Sequence, residues 1–315
     1  MKDLLDILCC PKCRSELIKR NDSVLCSNIG CYYSNTPFLK VNRKLILVNF
    51  DSSIIKQDTI INSNASSLVR RTIKFSGLSM FTKRVLSGSN KVSSNNFETC
   101  SELLNKIETP KILIVGGGTI GAGSHDIVDN FSNGIISFDI YYSDNIDFIA
   151  DAHSIPLKNE TIDLVIIQAV LEHVIYPNIV VNECHRVLKV GGYIYAETPF
   201  LQHVHEGAYD FTRYTVLGHR ILFEQFDEFK SGFIGGLGQS LLWSIDFFVS
   251  GVFRNRVAGK IVKGCFFWLR WIEKVIPNSW NIDGACGSYF IGQKTTNKHK
   301  IKLNNVLIQY KGAQQ

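Results

Sequence analysis

The chain has 315 residues, a formal net charge of +6 and 45% hydrophobic content, a composition that builds a globular protein of one large or two smaller domains. Its opening, MKDLLDILCCPKC, lacks both a basic region ahead of a long apolar core and a small-residue cleavage site. A secretory signal is thereby excluded and a cytoplasmic protein expected. The positive excess sits in a middle stretch and in the C-terminal tail, which permits an anionic partner without requiring one.

Five of the nine cysteines, Cys9, Cys10, Cys13, Cys26 and Cys31, fall in the first tenth of the sequence, which points to metal rather than to disulfides. Cys10 and Cys13 stand two residues apart, the spacing at which thiolates on one turn reach a single tetrahedral zinc ion, and Cys26 and Cys31 follow as a second pair. Four thiolates close a structural site, with no open position for chemistry, and leave Cys9 as the spare thiol, the alternative being that Cys9 and Cys10 exchange roles. So short a segment cannot bury a sufficient core, so zinc is expected to supply much of its stability. The run LLDILCCPKCRSELIKRNDSVLCSNIGCYYSNTPFLKVNRKLILVNF resembles the small zinc-ribbon domain known as an activating partner of certain methyltransferases and found fused in front of others. The gap between Cys26 and Cys31 is longer than the usual knuckle of that domain.

Residues 51–98 turn to Ser, Asn, Lys and Arg, as in INSNASSLVRR and SGSNKVSSNN, and read as a basic linker holding one short helix. Its bases, Lys56, Arg70, Arg71, Lys74, Lys83, Arg84 and Lys91, are expected on a solvated connector, the alternative being a groove for phosphate or anionic lipid. Apolar runs then recur at 112–115, 134–138, 164–170, 193–198, 229–235 and 288–294, with helix-like stretches at 178–188 and 214–226. Continuous apolar strands alternating with helices predict a doubly wound, mostly parallel α/β sheet that binds ligands at the carboxyl ends of its strands. The expected organisation is a ribbon over 1–50, the linker, a catalytic domain over 99–296 with a helical apolar insertion at 237–284, and a basic tail over 297–315.

The loop in KILIVGGGTIGAG satisfies G-x-G-x-x-G through Gly116, Gly118 and Gly121, and Asp139 ends the next strand about twenty residues on, where a carboxylate accepts from ribose hydroxyls. These features suit NAD and any other adenosine compound. The following block, DFIADAHSIPLKNETIDLVIIQAVLEHVIYPNIVVNECHRVLKVGGYIYAETP, resembles the centre of the seven-stranded S-adenosylmethionine-dependent methyltransferases. The matching residues are Asp151 and Ala152, Pro156 and Leu157, Asp163, Leu171 to His173, Glu183, Arg186 to Lys189, and Gly191 with Gly192. The resemblance implies a class I methyltransferase with S-adenosylmethionine as cofactor. Gly116 and Gly118 would approach the methionine moiety, Asp139 would bind the ribose, and Asp151 would accept from the adenine amino group with Ala152 beside the ring. Gln168 would face the methionine end or the acceptor. Two departures from the family are Ile114, where it has an acidic residue, and Ile120, where its third loop glycine falls. Glu183 and Arg186, at helical spacing, read as a structural ion pair, while Glu172 and His173 either brace the fourth strand or touch substrate.

On the acceptor side, TPFLQHVHEGAYDFTRYT carries His203, His205 and Asp210, read as the catalytic set because histidine titrates near neutrality and takes a hydroxyl proton. The alternative has Asp210 capping a helix and pairing with Arg213. Asp-Phe-Thr-Arg-Tyr-Thr resembles a segment of methyltransferases often encoded with polysaccharide biosynthesis enzymes. Residues 233–276 mix apolar and aromatic side chains with Lys260, Lys263, Arg270 and Lys274, which suits a lid over the acceptor pocket, peripheral contact with the inner face of an anionic membrane, or both. The expected activity is O-methylation of a glycan, sugar-nucleotide or lipid-linked intermediate. An RNA or protein methyltransferase and a noncatalytic binding subunit are the alternatives, and nucleic acid is not favoured as partner.

Overall fold

The computed structural model describes residues 2–62, 91–119, 121, 123–296 and 306–314. The linker bases Arg70, Arg71, Lys74, Lys83 and Arg84, the loop residue Ile120 and positions 297–305 of the tail lie outside the described residues.

The chain opens with helix α1 (Lys2–Ile7), the hairpin β1 (Leu17–Arg20) and β2 (Ser23–Cys26), and a second hairpin, β3 (Lys40–Val41) and β4 (Lys44–Leu47). Helices α2 (Gln57–Asn62) and α3 (Lys91–Leu104) follow. Next come strand β5 (Ile112–Val115), helix α4 (His125–Phe131) and strands β6 (Ile135–Asp139), β7 (Phe148–Ala150) and β8 (Ile162–Gln168). Helix α5 (Pro177–Val187), strand β9 (Leu188–Pro199), helix α6 (Val216–Leu222) and strand β10 (Asp227–Ile234) lead to an insertion made of α7 (Leu237–Phe253), α8 (Arg256–Cys265), α9 (Leu269–Ile272) and α10 (Asn278–Asp283). Strand β11 (Gly287–Gln293) completes the sheet.

The strands order as β10-β11-β9-β8-β5-β6-β7-β4-β3 in one sheet, parallel from β9 to β4 and antiparallel where β11 pairs with β9 and β10. Seven of these strands make the expected doubly wound α/β fold. The other two come from the N-terminal segment: Leu45, Ile46 and Leu47 register on Phe148, Ile149 and Ala150 of β7. An edge of so short a strand exposes unpaired backbone groups, and the hairpin β3–β4 covers it while burying Ile46 and Leu47. Residues 1–50 therefore divide between a small β1–β2 sheet and the main one. Helix α3 likewise crosses the expected limit at 98/99; its inner face holds Ser93, Asn96, Phe97, Cys100 and Leu104, with Phe97 edge-on to Tyr195 of β9 at 4.9 Å. Small polar residues on that buried face give its amino-terminal half the composition of a linker.

The cysteine-rich segment is fastened to the stretch that follows β7. Cys9 N–H donates to the Pro156 carbonyl at 2.9 Å, Lys158 N–H to the Ile7 carbonyl at 2.8 Å, and Ser154 Oγ to the Pro11 carbonyl at 2.6 Å. Glu183 takes two hydrogen bonds from Arg14 at 2.9 Å, in addition to its expected pairing with Arg186 at 2.9 Å. Burial alone would raise its pKa, and the two guanidinium groups more than offset this and hold it below the usual carboxylate range.

Glu273, beyond α9, accepts from Gly236 N–H at 2.7 Å and Gln239 N–H at 2.8 Å, so it satisfies the free amino end of α7. Among the described residues, no helix is long and apolar enough to cross a membrane.

Candidate active site

Strand β5 turns into the glycine loop because Gly116 adopts φ +78, where a side chain is strained, and because a Cβ there would stand 2.3 Å from Val170 Cγ2. Both Gly116 and Gly117 donate to the Phe138 carbonyl of β6, at 3.0 and 2.9 Å. Gly118 N–H donates to Asp139 Oδ2 at 2.8 Å, and Ile140 N–H to Oδ1 at 2.7 Å, so the carboxylate is fixed at the carboxyl end of β6. A Cβ on Gly121 would lie 1.8 Å from Gln168 Oε1, at the end of β8. The loop thus lies close against two strand ends, with Gly116 and Gly121 as the points of closest approach. Ile114, in place of the family's acidic residue, packs against the apolar cluster containing Phe97 and Leu164.

A cavity of about 630 Å³ opens there, within the range of small-molecule sites, roughly 300–1,000 Å³. Gly116, Asp139, Asp151, Ala152 and Gln168 all line it; Gly118 stands behind Asp139. Asp151 accepts from Ser53 Oγ at 2.6 Å, from His153 N–H at 2.9 Å and from His153 Nδ1 at 2.7 Å. Burial pushes the Asp151 pKa upward, and these hydrogen bonds outweigh it, so the group is held below the usual carboxylate range. Ile54 and Ile55 complete this wall beside Ala152.

The opposite end is built from the segments after β8 and β9. Ala169 has φ +54, a strained value for a residue with a side chain, and its N–H donates to the Glu197 carbonyl at 3.0 Å. Glu197 lines the cavity and accepts from Gln168 Nε2 at 2.7 Å, from Ser93 Oγ at 2.5 Å and from the Tyr195 hydroxyl; burial raises its pKa despite these donors. Glu172 is wholly buried, and among the described residues neither carboxylate oxygen accepts a hydrogen bond; burial pushes its pKa up to about 8. Facing it are His173 Nε2 at 3.6 Å and His205 Nε2 at 3.8 Å. Burial lowers the His173 pKa.

Of the three residues read as catalytic, only His205 lines this cavity, next to Glu206 and Tyr209. Asp210 stands behind it, accepting His205 N–H at 3.0 Å and pairing with both Arg213 nitrogens. His203 lies in a second, apolar cavity of about 540 Å³, between Phe200, Leu201 and the insertion residues Leu237, Leu241, Leu269 and Ile276, and stacks on Phe247 at 4.4 Å. Two features of the site escape the sequence pattern: Glu197, a carboxylate at the carboxyl end of an apolar strand, and the wall formed by Ser53 to Ile55, for which no local signal exists.

At the N-terminus, the Cys10, Cys13, Cys26 and Cys31 sulfurs lie within 4.8 Å of one another, with Cys13 and Cys26 at 3.3 Å and Cys10 and Cys31 at 3.8 Å. Zinc–sulfur bonds of about 2.3 Å in a tetrahedron separate sulfurs by roughly 3.8 Å, so the four thiols fit such an ion. The long second knuckle closes through a turn in which Cys31 N–H donates to the Asn28 carbonyl at 2.9 Å. Cys9 is buried outside the cluster.

Residues 136–196 match the family model described as a methyltransferase domain. No curated protein matches the chain. Among solved structures it is similar to an S-adenosylmethionine-dependent methyltransferase from Archaeoglobus fulgidus, at 15% identity over 69% of this chain and 100% of that one with a TM-score of 0.42. It is also similar to phosphoethanolamine N-methyltransferase 2 from Haemonchus contortus, at 12% identity over 70% of this chain and 57% of that one, TM-score 0.42, and to the [4+2]-cyclase SpnF, at 15% identity over 65% and 81%, TM-score 0.41. The matched residues include Asp139, Asp151, Ala152, Gln168 and His173, which line one cavity at the carboxyl ends of β6, β7 and β8, and Glu172, buried beside His173. Residues 136–196 carry a methyltransferase domain, and the chain is an enzyme of that kind.

Proposed function

We propose that the enzyme methylates a hydroxyl oxygen of a glycan, a sugar nucleotide or a lipid-linked intermediate. The observation that carries this reading is that one strand-to-loop segment lines two cavities, lending His205 to the one at the strand ends and Phe200, Leu201 and His203 to an apolar one. An acceptor with a polar head and an apolar tail matches both.

When bound, S-adenosylmethionine supplies an electrophilic methyl group. Gly116 would approach its methionine end and Gln168 would flank that end, Asp139, oriented by Gly118 N–H, would hold the ribose hydroxyls, and Asp151 would accept from the adenine amino group with Ala152 against the ring. The polar ring of His173, His205 and Glu206 receives the acceptor hydroxyl, and His205 Nε2 takes its proton. Asp210 positions His205 through the backbone N–H, and its Oδ2 lies 3.4 Å from Nδ1. His203 lines the acceptor's apolar path. Positioning and exclusion of water supply most of the acceleration, because transfer from a sulfonium needs little covalent help.

The Cys10, Cys13, Cys26 and Cys31 cluster holds a structural zinc ion that stiffens the segment bearing Arg14 and so the stretch after Asp151. The insertion supports peripheral contact with an anionic bilayer: Phe248, Phe253, Ile261, Trp271 and Val275 are each more than 60% exposed, beside Arg256, Lys260 and Lys274. On this reading the enzyme works in the cytoplasm, at the inner membrane face. Incubation with methyl-labelled S-adenosylmethionine and separated lipid-linked, glycan, sugar-nucleotide and RNA fractions tests the reading. Label in an alkali-stable ether of one of the first three is expected; label confined to RNA or protein overturns it.

A further inference from the structure

The group at the acceptor end of the cavity has an arrangement that acid–base chemistry alone does not require. Glu172 is fully buried with neither oxygen hydrogen-bonded among the described residues, which is costly in a folded protein and uncommon outside functional sites. Two imidazoles converge on that carboxylate. His173 Nδ1 lies 2.7 Å from the Tyr209 carbonyl, an acceptor only, so Nδ1–H donates and the lone pair resides on Nε2. His205 Nδ1 lies 3.4 Å from both the His203 carbonyl and Asp210 Oδ2, again acceptors only, which leaves its Nε2 lone pair free in the same way. Both Nε2 atoms then face one oxygen, Glu172 Oε1, at 3.6 and 3.8 Å. In a neutral hydrogen-bonded cluster, a donor would stand between such acceptors.

We infer that Glu172, His173 and His205 bind a first-row divalent metal ion. Two imidazole nitrogens and one carboxylate oxygen form the ligand set of open catalytic sites, whereas four closed ligands mark structural ones. The three ligand atoms lie within 4.8 Å of one another, a spread that metal–ligand bonds of about 2.1 Å draw inward by roughly an ångström. Each histidine carries the oxygen partner on its other nitrogen that fixes ring orientation at metal sites, a backbone carbonyl for His173 and Asp210 for His205. His173 and His205 both line the cavity, so the remaining coordination positions open towards the space assigned above to the acceptor. The inference deepens the O-methylation reading and rests on it only for what the ion does there. With the ion bound, His205 Nε2 is a ligand in place of the base, and the ion lowers the pKa of a coordinated hydroxyl, whose proton passes to solvent.

Titration of the full chain with cobalt(II), followed by absorption, separates this site from the cysteine cluster. The first equivalent is expected to give intense thiolate-to-metal charge transfer. A second is expected to add weak d–d bands without thiolate intensity, and this second step is absent in His173→Ala and His205→Ala and weakened about tenfold to a hundredfold in Asp210→Asn. Retained binding of S-adenosylhomocysteine shows that the variants are folded. Uptake of a single equivalent by the wild-type chain, or a second step unchanged in both histidine variants, overturns the site whether or not any variant folds. Methyl transfer is scored separately: a second cobalt step with no labelled hydroxyl product sinks the O-methylation reading and leaves the metal site standing.

Discussion

The two ends of the cavity are built on different principles. At the end proposed for the cofactor both lining carboxylates have donors in place: Asp139 is held by two backbone N–H groups, and Asp151 by Ser53 and His153. At the end proposed for the acceptor Glu172 is buried without a donor among the described residues, Ala169 is strained, and Glu197 is raised by burial. A binding surface gains from polar groups that are already oriented, because little must be reorganised when the ligand arrives. A reactive surface instead retains unmet polar capacity, at a cost to stability that the rest of the fold carries.

The sharpest way to break this contrast is at the glycine loop. Gly116→Val sets a β-branched side chain at φ +78 and against Val170, so a loss of about 3 kcal/mol or more and no measurable cofactor binding are expected by thermal melting and calorimetry. A variant that still binds S-adenosylhomocysteine as tightly as wild type would show that the cradle is not preformed. Next in size is Asp139→Ala, which removes the ribose acceptor and leaves Gly118 and Ile140 N–H groups without their partner. Affinity for S-adenosylhomocysteine is expected to fall about 100-fold, equivalent to roughly 3 kcal/mol, with no gain in affinity for NADH.

Acid separates the two ends with a smaller effect. His219 of α6, beneath the acceptor loop, is fully buried, with Nε2 3.0 Å from Thr198 Oγ1, and burial pushes its pKa down to about 3. The unfolded chain binds a proton there below about pH 6.5 and the folded one does not, so stability is full above that pH and falls by about 1.4 kcal/mol per unit below it. Asp151 has the opposite margin: its folded pKa is depressed, so it stays ionised throughout this window. Between pH 6.5 and 5 this loss is opposed by Glu172, whose raised pKa of about 8 keeps it protonated in the folded chain while it is ionised in the unfolded one, so the His219 effect is read as a difference from the variant, and intrinsic cofactor affinity changes little. As pH falls through this window His219→Gln should gain about 1.4 kcal/mol per unit relative to wild type, and an unchanged difference would remove His219 as its source.

Much of the architecture is legible in the sequence. The runs ILIV, LVIIQ and YIYAET, and the helix between the last two, lie within a few residues of β5, β8, β9 and α5. Strand β7 is not legible because three residues carry no period, and β3–β4 reads as part of a separate ribbon because pairing with a strand a hundred residues away leaves no local trace. The cofactor wall shows the same limit. Asp139 and Asp151 stand at strand ends beside recognisable neighbours, whereas Ser53 reaches Asp151 across 98 positions.

By itself, the sequence determined the central strands of the sheet, the glycine loop and the two cysteine pairs, because each depends on periodicity or spacing within a few residues. Only the tertiary structure decided that His205 and not His203 faces the cavity at the strand ends, that Asp210 stands behind it, and that Glu172 meets two imidazoles with no donor among the described residues. One residue, Val204, separates His203 from His205, yet the walls they enter belong to different packing partners, the insertion for one and the end of β8 for the other. Side-chain direction at the end of a strand is set by what packs against it, and that information is spread over the whole chain.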